Sequence, residues 1–175
     1  MNVFVSLLIF LLGVVVLPAN AQSDQQAMTA DVLGVYFTPP ANAAAAIIHA
    51  IDASQSEVLV QAYGFTHNGI AQALVRAHQR GVSVRVLLDQ KSDTANRYVI
   101  GVFTDAQIEL REDGKHAIAH NKVMVIDQST VITGSFNFTN SAATRNAENF
   151  LVLRSADLAE KYRLQWQTHW SHGAK

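Results

Sequence analysis

The chain has no cysteine, and this absence excludes disulfide bonds, thiolate metal sites and a cysteine nucleophile. It also lacks a large net charge, because 13 Lys and Arg residues nearly balance 14 Asp and Glu residues. Nucleic-acid-binding proteins are commonly basic overall, so a nucleic acid could bind here only through a local concentration of positive charge. Low-complexity linkers are absent too, and this favours one domain.

The N-terminus carries an apolar run that differs from the rest of the chain. Residues 3–17 are almost entirely apolar, and Ala19-Asn20-Ala21 follows as a small-x-small cleavage pattern. We therefore predict a secretory signal peptide at 1–21, a flexible segment at 22–31 and a single domain at 32–175. The run is shorter than the ~20 residues of a membrane-spanning helix. Cleavage predicts an exported protein, periplasmic or secreted, with no stable membrane association.

An alternative for the N-terminus is an uncleaved membrane anchor. Met1-Asn2 provides no Lys or Arg, so the positive region of a signal peptide rests on the α-amine alone. This departure from the usual pattern keeps the anchor open as the second interpretation.

Strand and helix patterns alternate along the domain. The predicted strands are 32–37, 58–65, 82–88, 108–110, 117–126, 131–138 and 150–153, and the predicted helices are 41–53, 69–80, 94–103 and 156–170. Alternating β and α units indicate an α/β fold, with a mostly parallel mixed sheet and helices on both faces. The strands 117–126 and 131–138 are too close in sequence for a crossover helix, so they predict an antiparallel hairpin.

Polar side chains on this hairpin form the first candidate site. Side chains alternate along a strand, so His120 and Lys122 share a face, as do Ser135 and Asn137. A turn around Gln128-Ser129 would place Lys122 opposite Ser135 and His120 opposite Asn137. Each side chain alone has an ordinary structural explanation. Together they indicate a site, because a lysine within an apolar strand needs an anionic partner, which a bound phosphate would supply.

The same residues resemble a known motif. His120-x-Lys122-x4-Asp127-x6-Gly134-Ser135-x-Asn137 matches the HKD motif of the phospholipase D superfamily. The segments Val35-Tyr-Phe-Thr-Pro-Pro, Gln61-Ala-Tyr-Gly-Phe-Thr and Asn146-Ala-Glu-Asn also resemble its small bacterial Nuc-type endonucleases. The resemblance extends over about 32–170, and one departure is Gly64, where the family often has serine. The resemblance predicts that 32–175 forms a phospholipase D-like catalytic domain.

The resemblance implies a role for each motif residue. His120 would attack phosphorus as the nucleophile, and Lys122 and Asn137 would bind the phosphoryl oxygens. Glu148 would hydrogen-bond the nucleophilic imidazole, although an exposed glutamate before a strand is the ordinary alternative. Ser135 and Asp127 complete the catalytic set, with Asp127 expected to be mainly structural. We expect Gly134 to allow a close backbone approach at the site. Lys115 and His116 are candidate substrate contacts, or parts of a surface turn.

A single motif leaves the reaction without its second acid–base group. The family resemblance implies a homodimer, in which two copies of the motif meet at a twofold axis. We expect no cofactor and no catalytic metal, because the histidines and carboxylates show no compact ligand spacing in the sequence. The expected substrate is DNA, with RNA as an extension. Two alternatives are a phospholipase or cardiolipin hydrolase acting on a lipid diester, and an inactive nucleic-acid-binding dimer.

Overall fold

The computed structural model describes residues 27–39 and 42–174. Within these ranges seven strands form one sheet, in the order β1-β7-β6-β5-β2-β3-β4. The strands are β1 (Asp31–Thr38), β2 (Glu57–Ala62), β3 (Ser83–Asp89), β4 (Glu109–Asp113), β5 (Lys122–Ile126), β6 (Thr130–Gly134) and β7 (Glu148–Arg154). The helices are α1 (Ala43–Asp52), α2 (Asn68–Gln79), α3 (Asp93–Asp105), α4 (Asn140–Thr144) and α5 (Ala156–His172).

The N-terminal predictions fall mostly outside the described residues. The signal peptide at 1–21 and residues 22–26 of the predicted flexible segment lie there, while residues 27–30 carry no regular secondary structure. None of the helices in the described ranges combines the length and the apolar character that crossing a membrane requires.

The sheet is mixed, as predicted, but it contains fewer parallel pairs than expected. Among the described strands only β2–β3 and β3–β4 pair in parallel, and these are the strands joined through α2 and α3. The other four neighbouring pairs are antiparallel. The reason is that β5, β6 and β7 follow one another through a tight turn and a segment containing only the short α4, which leaves no long crossover helix.

Helices cover both faces of the sheet, and each face has its own core. The larger core lies under α1, α2 and α3 and includes Ile47, Leu74 and Phe103, all with no exposed surface. The smaller core lies under α5, where Trp166 packs against strand residues and its indole Nε1 donates to the Val60 carbonyl at 2.9 Å. This sandwich fixes the strand ends that carry the candidate site.

The predicted hairpin is present, but its register is shifted by one residue. β5 and β6 pair Met124 with Ile132 and Ile126 with Thr130. The turn residues are Asp127 and Gln128, with φ of 50° and 54°, and not Gln128-Ser129. Positive φ at both central positions is the geometry that matches the twist of a hairpin. The expected pairing of Lys122 with Ser135 and of His120 with Asn137 is therefore wrong.

Candidate active site

The motif residues nonetheless gather at one end of the sheet. Lys122 is the first residue of β5, and it pairs with Ala62, the last residue of the neighbouring strand β2. Gly134 ends β6 and Glu148 begins β7 at the same end. His120, Ser135 and Asn137 lie in the connections just beyond these strands, so the predicted strands 117–126 and 131–138 are too long. The site is therefore built from strand ends and loops.

The loop before β5 presents His120 to solvent. Asp89, at the end of β3, accepts from the Ala119 backbone N–H at 2.7 Å and is itself buried. The Asn121 carbonyl accepts from the Tyr63 N–H at 2.9 Å. The Tyr63 ring packs edge-on against the His120 imidazole, with 4.7 Å between ring centroids. His120 is exposed, and its ring has no hydrogen-bond partner among the described residues.

Lys122 places a positive charge against the His120 backbone and the Tyr63 ring. Its side chain is 8% exposed, and Nζ donates to the His120 carbonyl at 2.9 Å. Nζ also lies 5.5 Å from the centroid of the Tyr63 ring. Burial lowers the pKa of the Lys122 ammonium, and the charge of Glu148 offsets part of that effect. An ammonium has three N–H donors, so Lys122 keeps donors for an anion.

No carboxylate in the described part of the chain forms an ion pair with Lys122. The ion pairs there involve Arg76, Arg80, Arg85, Arg163 and three histidines. A buried cation without a partner is costly, and a phosphate group bound beside His120 would provide the missing negative charge.

Ser135 and Glu148 form a separate network beside this pair. Ser135 Oγ donates to Glu148 Oε2 at 2.6 Å and accepts from the Asn149 N–H at 3.1 Å. Asn146 Nδ2 donates to the other carboxylate oxygen at 3.1 Å. The hydrogen bond expected between Glu148 and His120 is absent from the described residues. Glu148 instead fixes Ser135 and contributes a negative charge near Lys122.

Asn137 supplies an amide with unused hydrogen-bonding capacity. Its Oδ1 is buried and has no hydrogen-bond partner in the described ranges. A Cβ atom at Gly64 would lie 3.5 Å from this oxygen. Rotation of the amide exchanges its O and N, so the side chain could offer either an acceptor or a donor to a ligand. The absence of a side chain at Gly64 leaves room beside it.

Three predicted site residues have other roles in the structure. A Cβ atom at Gly134 would collide with the Asn149 carbonyl oxygen and lie 2.6 Å from the Phe150 Cα. The close backbone approach at Gly134 is thus between β6 and β7. Asp127 lies at the opposite end of β5, roughly 17 Å from Lys122 along the strand. His116 contacts Asp113 Oδ2 at 3.0 Å through its Nδ1.

Lys115, a predicted substrate contact, lies in the same loop as His116. The Lys115 backbone N–H donates to Asp113 Oδ1 at 3.1 Å, while its side chain is exposed.

Tyr63 and Asp89, which position the His120 loop, were not predicted. Their signal was available, because Asp89 directly follows the predicted strand 82–88 and Tyr63 lies near the carboxyl end of the predicted strand 58–65. The sequence shows no compact ligand spacing, but the fold brings Asp113 and His116 together with two histidines of α5.

The strand-end site and the mixed sheet define a phospholipase D-like domain. Residues 47–170 match the family model described as "Cardiolipin synthase, PLD-like domain". This span is most of the chain, so the protein belongs to the phospholipase D superfamily, and the resemblance seen in the sequence is confirmed.

Individual relatives agree with this assignment. The chain is 42% identical over 130 residues to "Phospholipase D" of Rickettsia felis, covering 74% of this chain and 65% of the relative. It is 29% identical over 124 residues to the mouse "Mitochondrial cardiolipin hydrolase", covering 71% and 56%. The chain thus spans less than two thirds of the length of these curated relatives.

Two solved structures show the same fold. Nuc from Salmonella typhimurium, described as a phospholipase D family member, superposes with a TM-score of 0.79 at 36% identity, covering 83% of this chain and 97% of Nuc. NucT from Helicobacter pylori superposes with a TM-score of 0.73 at 23% identity, covering 81% and 96%. At that identity NucT supports the fold alone.

Proposed function

We propose that the protein is a phosphodiesterase that cleaves nucleic acid, DNA foremost and RNA as an extension, through a covalent intermediate on His120. One observation carries the proposal: among the described residues the buried Lys122 ammonium has no carboxylate in an ion pair, and it bonds to the backbone of His120, whose exposed imidazole has no hydrogen-bond partner there. An imidazole nucleophile next to a fixed cation is the combination that attack on an anionic diester needs.

In the first step a ring nitrogen of His120 attacks phosphorus, and the bond from phosphorus to the leaving oxygen breaks. The product is a phosphohistidine esterified to the remaining half of the substrate. Lys122 and Asn137 would bind the non-bridging oxygens as charge builds on them. The leaving oxygen takes a proton from a general acid, which must be a group other than the attacking His120.

In the second step water attacks the phosphohistidine. The group that acted as the acid now accepts a proton from water, the P–N bond breaks and His120 is released. This chain holds one copy of the motif, so we propose that the second acid–base group is His120 of another copy in a homodimer. Two Lys122 side chains would then face the same phosphoryl group.

Exposed apolar side chains near the site support this dimer. Ile118 is 55% exposed two residues before His120, and Phe37 is 62% exposed on the edge strand β1. Phe37 pairs with Asn149, the residue after Glu148. A second copy that covers these side chains would bring two sites together. A monomer in sedimentation analysis that retains full activity would contradict the dimer.

We prefer nucleic acid to lipid as the substrate because of how much of each relative's length the chain matches. Nuc is matched over 97% of its length, whereas the Rickettsia felis relative named phospholipase D is matched over 65%. This difference favours the nuclease proposal. The names of the relatives also make a lipid diester the second candidate, and an inactive nucleic-acid-binding dimer is the third.

A substrate panel separates the three candidates. Purified protein is incubated with plasmid DNA, RNA and phosphatidyl-lipid vesicles, each in EDTA, and the products are quantified. His120→Asn serves as the inactive variant and His49→Asn, at an exposed position on α1, as the matched control. We expect DNA cleavage by wild type and His49→Asn only. Faster turnover of lipid would favour the second candidate, and DNA binding without cleavage the third.

A further inference from the structure

Four side chains of types that can bind a metal meet between β4 and α5. Asp113 is the last residue of β4, His116 follows in the loop that leads to His120, and His169 and His172 lie in the last turns of α5. One ligand atom from each lies within 4.8 Å of the others. None of these residues takes part in the mechanism proposed above.

Nitrogens of three histidines lie close to the Asp113 carboxylate oxygens. Asp113 Oδ2 lies 2.7 Å from His169 Nδ1 and 3.0 Å from His116 Nδ1, and Asp113 Oδ1 lies 3.4 Å from His172 Nε2. Bonds of about 2.0 Å from Zn²⁺ to nitrogen and oxygen place tetrahedral ligands about 3.3 Å apart. Small side-chain rotations would therefore suffice to admit an ion.

The hydrogen bonding of the cluster is incomplete without a ligand. Asp113 has no exposed side-chain surface, yet three imidazoles converge on it. Their rings pack against one another, with centroids 4.6 Å apart for His116 and His169 and 5.5 Å apart for His169 and His172. His172 Nε2 is buried and has no hydrogen-bond partner in the described part of the chain. Coordination to a metal ion would satisfy this nitrogen.

Surrounding contacts hold the cluster in place. The Gln165 amide nitrogen lies 2.9 Å from His169 Nε2, the ring nitrogen that points away from Asp113. With the amide flipped, its oxygen would accept from this N–H, as an outer partner that orients a ligating imidazole does. Glu112 and Ala174 exchange backbone hydrogen bonds at 2.8 and 3.0 Å. These bonds fix the end of α5 beside β4 independently of any ion.

We propose that Asp113, His116, His169 and His172 bind one Zn²⁺ ion per chain. Three imidazoles and one carboxylate are ligands suited to zinc and poorly suited to Mg²⁺ or Ca²⁺, which prefer oxygen. The four protein ligands fill a tetrahedral shell, as in structural zinc sites. The ion would fasten α5 to the loop that carries His120, and thus act on stability and not on the chemical step.

Zinc binding is measured on tag-free, full-length protein that has been stripped with chelator and dialysed. Isothermal titration with ZnCl₂ is expected to give one ion per chain, with Mg²⁺ giving no heat of binding. Thermal unfolding is expected to shift upward by about 5 to 10 °C at a hundred-fold excess of zinc over Kd. Co²⁺ would report four-coordinate geometry through its visible absorption.

Variants test which side chains bind the ion. His116→Ala and His172→Ala are both expected to abolish stoichiometric zinc binding and the thermal shift, whereas His49→Ala retains both. Circular dichroism checks that each variant is folded. Failure of wild type to bind zinc, or unchanged binding in both variants, would overturn the proposal. The wild-type titration decides the matter even if a variant does not fold.

Discussion

Replacing Asp127 with alanine separates a structural role for this motif residue from a catalytic one. The Asp127 carboxylate accepts from the backbone N–H groups of Gln55, Ser56 and Glu57 at 2.9, 2.8 and 3.1 Å. It also accepts from Ser56 Oγ at 2.9 Å. These bonds tie the β5–β6 turn to the segment entering β2, at the end of the sheet away from Lys122.

The loss of stability expected for Asp127→Ala follows from the burial of its partners and from the backbone conformation. Gln55 and Ser56 are exposed and can bond to water, but the Glu57 N–H is partly buried, and losing its acceptor costs about 1–3 kcal/mol. Alanine at the φ of 50° found here adds about 1–2 kcal/mol. We expect a loss of about 3 kcal/mol and a fall in Tm of roughly 6–12 °C. Asparagine tolerates this φ and should cost about 1 kcal/mol.

The loss of stability in Asp127→Ala should depend on pH. Burial alone would raise the pKa of Asp127, but the hydrogen bonds from Glu57, Ser56 and Gln55 lower it below its ordinary value. A carboxylate with a lowered folded pKa stabilises the fold above the unfolded pKa of about 3.9, and this contribution disappears as pH falls through the folded pKa. The difference between wild type and Asp127→Ala is therefore full at neutral pH and shrinks in acid.

Thermal melts from pH 3 to 8 and turnover at 20 °C measure the two roles. The control is Asp105→Asn, which removes an exposed carboxylate at the end of α3 and should change neither quantity appreciably. We expect Asp127→Ala to melt earlier but to keep wild-type turnover. An Asp127→Ala protein with wild-type stability and no turnover would refute the structural interpretation.

Three further predictions concern the site itself. Burial lowers the pKa of Lys122, so Lys122 should lose its charge, and turnover should fall, at a pH below the ordinary lysine pKa of about 10.4. A pH–rate profile that stays flat up to that pH would contradict this. Gly134→Ala places a methyl group against the β7 backbone, so the free energy of unfolding measured in urea should fall by about 1–3 kcal/mol. A variant as stable as wild type would contradict this tight packing of β6 against β7. Ser135→Ala removes a hydrogen bond to Glu148 at an exposed position, so it should reduce kcat/KM while changing Tm by no more than about 4 °C; unchanged kinetics would remove the Ser135–Glu148 pair from the site.

Local patterns predicted the elements but not their geometry. The alternation of apolar and polar residues located the strands and predicted the hairpin around Asp127. It could not fix the register, because that depends on positive φ at both Asp127 and Gln128; aspartate is common at such a position, but glutamine is not. A shift of one residue changes every cross-strand pair, so the predicted partners of His120 and Lys122 were wrong although the site residues gather at one end.

Long-range contacts were beyond the sequence patterns. Asp113 and His116 are separated from His169 and His172 by more than 50 residues, and only the packing of α5 beside β4 joins the two pairs. The hydrogen bond of Glu148 to Ser135 is similar, since it depends on how β6 and β7 end. The family resemblance identified Ser135 and Glu148 as site residues, but not the hydrogen bond between them.

The most direct test of the central claim is hydrolysis of a simple chromogenic phosphodiester in EDTA, because this substrate is neither nucleic acid nor lipid. Folded wild type and His120→Asn are compared at 20 °C, where removal of a structural ion need not unfold the protein. We predict that wild type hydrolyses the diester and that His120→Asn is slower by at least about 1000-fold. Equal hydrolysis by the two proteins would contradict the assignment of His120 as the nucleophile.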